Sequence, residues 1–212
     1  MKNLTKTVIV LVGAMSLLGC KNEQGKPDSE TAQTEISPEG EAAVEEAGFE
    51  KTLSLQNISF DIRATGQGSM QQLSIRPTGL EIPNQDIALE IDGQVVNAEI
   101  EDLNADGFPE ILIYTVSAGS GSYGNVIGYS VNAGKSLSQI YFPDITDNQE
   151  ASAGYMGHDE FAIVETSLVR RFPIYKEGDT NSNPTGGTRQ IQYKLKDGEA
   201  SRLFVIDKIM AY

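Results

Sequence analysis

Four groups of residues in this chain carry side chains able to do chemistry. The first is Asp102-Leu103-Asn104-Ala105-Asp106-Gly107-Phe108-Pro109-Glu110, which sets oxygen atoms at alternating positions and a glycine where the chain must turn. Calcium coordination needs that pattern, which makes Asp102, Asn104, Asp106 and Glu110 candidate Ca2+ ligands. The same pattern also suits an Asx-rich turn whose carboxylates bond backbone N–H groups without a metal. The second is His158, the single histidine, which lacks the histidine or cysteine partners a zinc site requires and is expected to be structural. The third is the pair Asp159-Glu160, two carboxylates that an enzyme acting on cell-wall glycans could recruit. Adjacent strand residues point to opposite faces, which argues against their acting together. The fourth is Ser117-Ala118-Gly119-Ser120-Gly121-Ser122-Tyr123-Gly124. Its glycines let backbone approach a partner closely, its serines can donate to a carboxylate, and its tyrosine offers large contact area with little entropy to lose. With no Gly-x-Ser-x-Gly elbow, no phosphate-binding glycine loop and no cysteine beyond Cys20, the chain is not expected to be an enzyme.

The elements that must position these groups read as strands. Leu53 and Leu55, then Ile58, Phe60 and Ile62, alternate with period two, and Gln56-Asn57 shifts the phase as a β-bulge would within one bent strand. Ile87, Leu89 and Ile91 alternate before Asp92-Gly93, and Val96, Ala98 and Ile100 alternate after it, which predicts a hairpin. Residues 72–76, 110–116, 125–131, 137–142, 161–175 with an interruption, 189–195 and 202–209 are further strand candidates. Only 144–157 reads as partly helical, with Thr146 or Asp147 available as a cap. The expected fold is all-β: an antiparallel β-sandwich of about eight strands with at most one or two short helices, a barrel being the alternative.

The N-terminus reads as an address. Lys2 and Lys6 precede the apolar run Val8 to Leu18, too short for the roughly 20 residues of a spanning helix, and Leu17-Leu18-Gly19-Cys20 follows. Residues 1–19 are therefore expected to be a signal peptide, and 20–50 an acidic tether with nine acidic and two basic side chains. Residues 51–212 form one domain. Net charge is −14 and spread along the chain, which argues against a nucleic-acid partner and favours a basic one.

Leu-Leu-Gly-Cys20 resembles the lipobox of bacterial lipoproteins, in which the cysteine becomes the acylated N-terminus. The resemblance implies an envelope lipoprotein held to the membrane only through its lipid. Lys21, in place of aspartate, implies the outer membrane facing the periplasm. The acidic run departs from an EF-hand, whose twelfth position would be glutamate and is Ile113 here, and is closer to the shorter loops of integrin-type repeats.

Ser120-Gly121-Ser122-Tyr123, the stretch Ala98 to Gly107, Gly154-Tyr155-Met156-Gly157-His158-Asp159-Glu160-Phe161 and Leu168-Val169-Arg170-Arg171-Phe172-Pro173-Ile174-Tyr175 together resemble the periplasmic inhibitors of invertebrate-type (I-type) lysozyme. The likeness runs from about Phe49 to the C-terminus. It implies that Ser120, Gly121, Ser122 and Tyr123 form an inhibitory loop that enters the lysozyme cleft, with Ser120 bonding a catalytic carboxylate and Tyr123 supporting or filling the entrance. A hydroxyl inserted between the two carboxyl groups of a glycosidase displaces substrate and water. Lys135, in the next turn along the sequence, is the candidate basic contact to the same acidic cleft, or else a solvated turn lysine. The resemblance also implies a homodimer. The family's better-known members are soluble, whereas this chain carries a lipobox. The competing expectation is a calcium-binding envelope lipoprotein acting as a structural or interaction module.

Overall fold

The computed structural model describes residues 47–82 and 86–212. The signal, Cys20 and residues 21–46 of the expected tether lie outside the described residues. The all-β fold is as expected, with twelve strands among the described residues, in three four-stranded antiparallel sheets. The first sheet contains β1 (Ala47–Leu55), β2 (Ile58–Thr65), β3 (Met70–Thr78) and β4 (Ile87–Asp92). The second contains β5 (Gln94–Glu101), β6 (Glu110–Val116), β7 (Gly124–Asn132) and β8 (Ser136–Ile140). The third contains β9 (Glu160–Val164), β10 (Ser167–Pro173), β11 (Thr188–Lys196) and β12 (Leu203–Ala211). β1 begins ahead of residue 51 because Phe49 packs against the first core.

The second sheet separates two hydrophobic cores. Ile111, Ile113, Tyr129 and Val131 meet Phe60, Ile62 and Ile75 of the first sheet on one face. Leu112, Tyr114, Val126 and Ile140 meet Leu168, Phe172, Tyr193 and Phe204 of the third on the other. Consequently β6 is buried at every position from Glu110 to Thr115, whereas β2 and β3, covered on one face, alternate. Burying each such Leu, Ile or Phe contributes about 1.5–3 kcal/mol.

Four local expectations differ from what is seen. Gln56 and Asn57 both have positive φ and form the two-residue turn of a β1–β2 hairpin, with Leu55 opposite Ile58, so the phase shift marks a turn and no bulge. β4 and β5 do not pair: β4 joins β3 and β5 joins β6, and Asp92-Gly93 carries the chain from one sheet to the next. Gly93 is required there, since its φ is +102° and a Cβ would strike the Val116 carbonyl. In β5 the register shifts between Val95 and Asn97, which turns Val96 outward and Val95 inward. The helical region is a 3-10 turn, Ile145–Asp147, then one helical turn, α1 (Gln149–Ser152). Their caps are Asp144 and Asn148, whose side chains accept from the Thr146 and Ala151 amides; Thr146 and Asp147 lie inside the turn instead. Among the described residues no helix is long and apolar enough to cross a membrane.

Candidate functional site

The antiparallel register of β6 and β7, from Glu110 opposite Ser130 to Val116 opposite Gly124, leaves residues 117–123 as the loop closing one end of the central sheet. The Ser117 amide donates to the Tyr123 carbonyl at 2.8 Å, and the Tyr123 amide to Ser117 Oγ at 3.1 Å, pinching the loop at its base. Beyond the pinch Ala118, Gly119 and Ser120 are exposed, and Tyr123 is 49% exposed. Among the described residues Ser120 Oγ has no partner, so its hydroxyl faces solvent ready to bond.

The loop is exposed but held from below. The His158 amide donates to the carbonyls of Gly121 (2.7 Å) and Ser122 (3.2 Å). Asn181 donates through Nδ2 to the Ser120 carbonyl, and its Oδ1 lies 3.1 Å from His158 Nε2. Tyr175 in turn donates its hydroxyl to the Asn181 carbonyl at 2.9 Å. The Gly124 amide donates to Asp159 Oδ2 at 2.7 Å. That same oxygen accepts the Tyr155 hydroxyl at 2.6 Å, and Oδ1 accepts Arg170 Nε at 2.6 Å. Arg170 Nη2 closes the triangle on the Tyr155 hydroxyl at 2.7 Å. The Arg170 and Asp159 side chains are 3% and 0% exposed, and the guanidinium lies among the rings of Tyr155, Phe161 and Phe172. Burial opposes the Arg170 charge, but the hydrogen bond and charge of Asp159 outweigh it and hold the group above its ordinary pKa. Burial, and then donation to Asp159, raises the Tyr155 hydroxyl well above the usual phenol range. The Tyr123 ring meets the Tyr155 ring edge-on at 5.7 Å, which fixes its direction.

Gly157 makes this close contact attainable. Its φ is +88°, and a Cβ there would collide with the Gly121 carbonyl. Gly157→Ala is expected to cost about 1–3 kcal/mol through backbone strain and to displace the loop. Amide exchange should then rise at residues 117–123 while the two cores remain protected; unchanged exchange in the loop would refute this.

The remaining candidates lie elsewhere. Lys135 sits in the β7–β8 turn, separated from the loop by the length of β7, about 25 Å at strand rise. Closeness in sequence did not bring it to the loop, because β7 runs straight away from it. The four candidate calcium ligands are engaged in hydrogen bonds of the loop and the core. Asp102 accepts the Asp106 and Gly107 amides, Asn104 accepts the Asp106 amide, and Asp106 accepts the Phe108 amide. Glu110 points into the interior, accepting the Leu103 amide at 2.8 Å and the Ser130 hydroxyl at 2.6 Å. The Arg202 guanidinium reaches both Asp106 and Glu110, placing a positive charge where a cation would bind. The loop bonds make an Asx-rich turn. Asp159 and Glu160 part company, the first buried with Arg170 and the second exposed opposite Arg171.

Three of the four segments that carry the family resemblance therefore meet at the loop, and Asp159, Arg170, Tyr155 and Asn181 join the site as its support. Leu168, Arg170 and Phe172 share one face of β10, so an arginine at an inward position was the available signal. No family model matches the chain, and neither a curated protein nor a solved structure matches it significantly.

Proposed function

We propose that this protein is an inhibitor of I-type lysozyme that works by inserting the Ser120-Gly121-Ser122-Tyr123 loop into the enzyme's active-site cleft. The observation that carries the reading is the combination of exposure above and rigidity below. Ser120 and Tyr123 face solvent on a loop whose carbonyls and base are tied to His158, Asn181 and the buried Asp159–Arg170 pair. A loop already ordered in its bound form loses little freedom on docking, which favours affinity. Acylation at Cys20 would hold the protein at the periplasmic face of the outer membrane, where such an enzyme attacks the cell wall, and a homodimer is part of the same reading.

The test is lysis of a cell-wall substrate by I-type, C-type and goose-type lysozymes, each titrated with the purified protein. Selective loss of I-type activity is expected; unimpaired lysis by all three would overturn the proposal. Ser120→Ala and Tyr123→Ala are each expected to weaken inhibition by about 30-fold, the effect of an interface hot spot, with the domain still cooperatively folded. Full inhibition by both variants would show that another surface does the work.

A further inference from the structure

The connection between β10 and β11 runs from residue 174 to residue 187, since Pro173 pairs with Thr188, and far exceeds the roughly 2–5 residues an ordinary hairpin loop needs. It is built like the loop at 117–123. Its base is pinched, the Ile174 amide donating to the Gly187 carbonyl and the Gly186 amide to the Ile174 carbonyl, both at 2.8 Å. Inside it, Asp179 accepts the Lys176 amide at 2.7 Å, the Thr185 amide at 2.8 Å and the Thr185 hydroxyl at 2.9 Å. The Asn183 amide donates to the Thr180 carbonyl at 2.9 Å and closes a turn over residues 180–183, which the buried Tyr175 supports through the Asn181 carbonyl. Compact loops of this kind, ordered by their own bonds, are frequently functional. Thr180, Ser182 and Asn183 are exposed, whereas Asn181 reaches across to the first loop and donates to the Ser120 carbonyl. The crests of the two loops therefore lie one side chain apart.

We infer that residues 180–183 are a second insertion element, which enters the enzyme's cleft beside Ser120 and occupies a neighbouring saccharide-binding subsite. The inference rests on the proposed function for the identity of the partner. A cleft that closes around Ser120 must also meet what is hydrogen-bonded to Ser120 from one side chain away, so the turn shares the contact. Its chemistry then selects the subsite. Residues 180–187 carry no charge, and Thr180, Ser182 and Asn183 present hydroxyl and amide groups that both donate and accept. The hydroxyls and N-acetyl amides of a cell-wall saccharide are groups of the same two kinds, and a site shaped to bond them is left unsatisfied by an apolar occupant. Because the turn is ordered before docking, its insertion costs little conformational freedom.

Two variants of the purified protein, compared with the wild type in inhibition of I-type lysozyme, decide the matter. Ser182→Trp sets a large ring on the exposed turn; it should weaken inhibition by about 30-fold or more while the amide chemical shifts of residues 117–123 stay at their wild-type values, showing that the first loop is intact. Thr180→Val/Asn183→Leu keeps the size of the turn and removes hydrogen-bonding groups at two exposed positions; it should inhibit about tenfold less well, the cost of leaving subsite groups unpaired. Full inhibition by Ser182→Trp would show that the turn lies outside the contact and would overturn the inference, with the Ser120 loop still standing. Weakened inhibition by Ser182→Trp together with full inhibition by Thr180→Val/Asn183→Leu would overturn the saccharide subsite as its place. If the wild type inhibits no lysozyme, the proposed function falls and the second insertion element falls with it.

Discussion

Arg170→Ala is expected to lower the free energy of unfolding by about 3–5 kcal/mol, the largest effect among the substitutions named, because it leaves the fully buried Asp159 carboxylate without its charge partner. Asp159 would retain only the Gly124 amide and the Tyr155 hydroxyl. Asp159→Ala should cost a similar amount for the converse reason, and would also free the base of the loop by removing the acceptor of the Gly124 amide. The double variant Asp159→Leu/Arg170→Met should lose much less than the sum, since it removes both charges together and fills the space with apolar atoms. Urea unfolding of the four proteins measures the cycle. A loss below about 1 kcal/mol for Arg170→Ala would mean that water reaches the pair and that the clamp is weaker than its geometry implies. The pair is also expected to matter for inhibition: the double variant should fold yet inhibit poorly, because a leucine side chain in place of Asp159 has no oxygen to accept the Gly124 amide.

The second large effect concerns pH. Glu110 has 0% exposure, and burial pushes its carboxyl from the usual 4.5 up to about 7, against the opposing pull of the Ser130 hydroxyl, the Leu103 amide and Arg202. A carboxyl whose folded pKa exceeds its unfolded value binds its proton more tightly in the native state. Its contribution to stability is therefore fully present below pH 4.5 and is lost as pH rises through 7. The loss is on the order of 3 kcal/mol. Depressed carboxyls such as Asp144 act in the opposite sense but below their ordinary pKa of 3.8, outside this window. Urea midpoints measured from about pH 5 to about pH 7.5 should fall steadily for the wild type and stay nearly level for Glu110→Gln. Parallel pH profiles for the two proteins would show that Glu110 is ionised throughout, neutralised by Arg202.

The strand class was legible because alternation is a direct print of a half-covered sheet, as in β2 and β3. Pairing was less so. Asp92-Gly93 has the composition of a hairpin turn, and nothing local distinguishes a turn that folds back from one that passes to the next sheet; Gly93 is needed for either. Gln56-Asn57 lacks the glycine that marks a two-residue turn, so the hairpin it forms read as a bulge. For the site, the exposed residues of the loop stood out by composition, but their support did not. Asp159, Arg170 and Asn181 come from three distant segments, and only the inward parity of Arg170 between Leu168 and Phe172 hinted that a buried acid must exist. Glu110 carries the same hint, since it shares a face with Leu112 and Tyr114, yet the acidic run around it pointed toward metal.

Within each of the three described sheets the strands pair with their neighbours in sequence, in the order β1 to β4, β5 to β8 and β9 to β12, with no crossover. The chain can therefore form each sheet by successive hairpins, closing only short loops before pairing begins to repay the entropy lost. Such a route keeps the sequence separation between pairing strands small, which favours fast folding. It also shortens the time for which unpaired strand edges lie open to aggregation during folding.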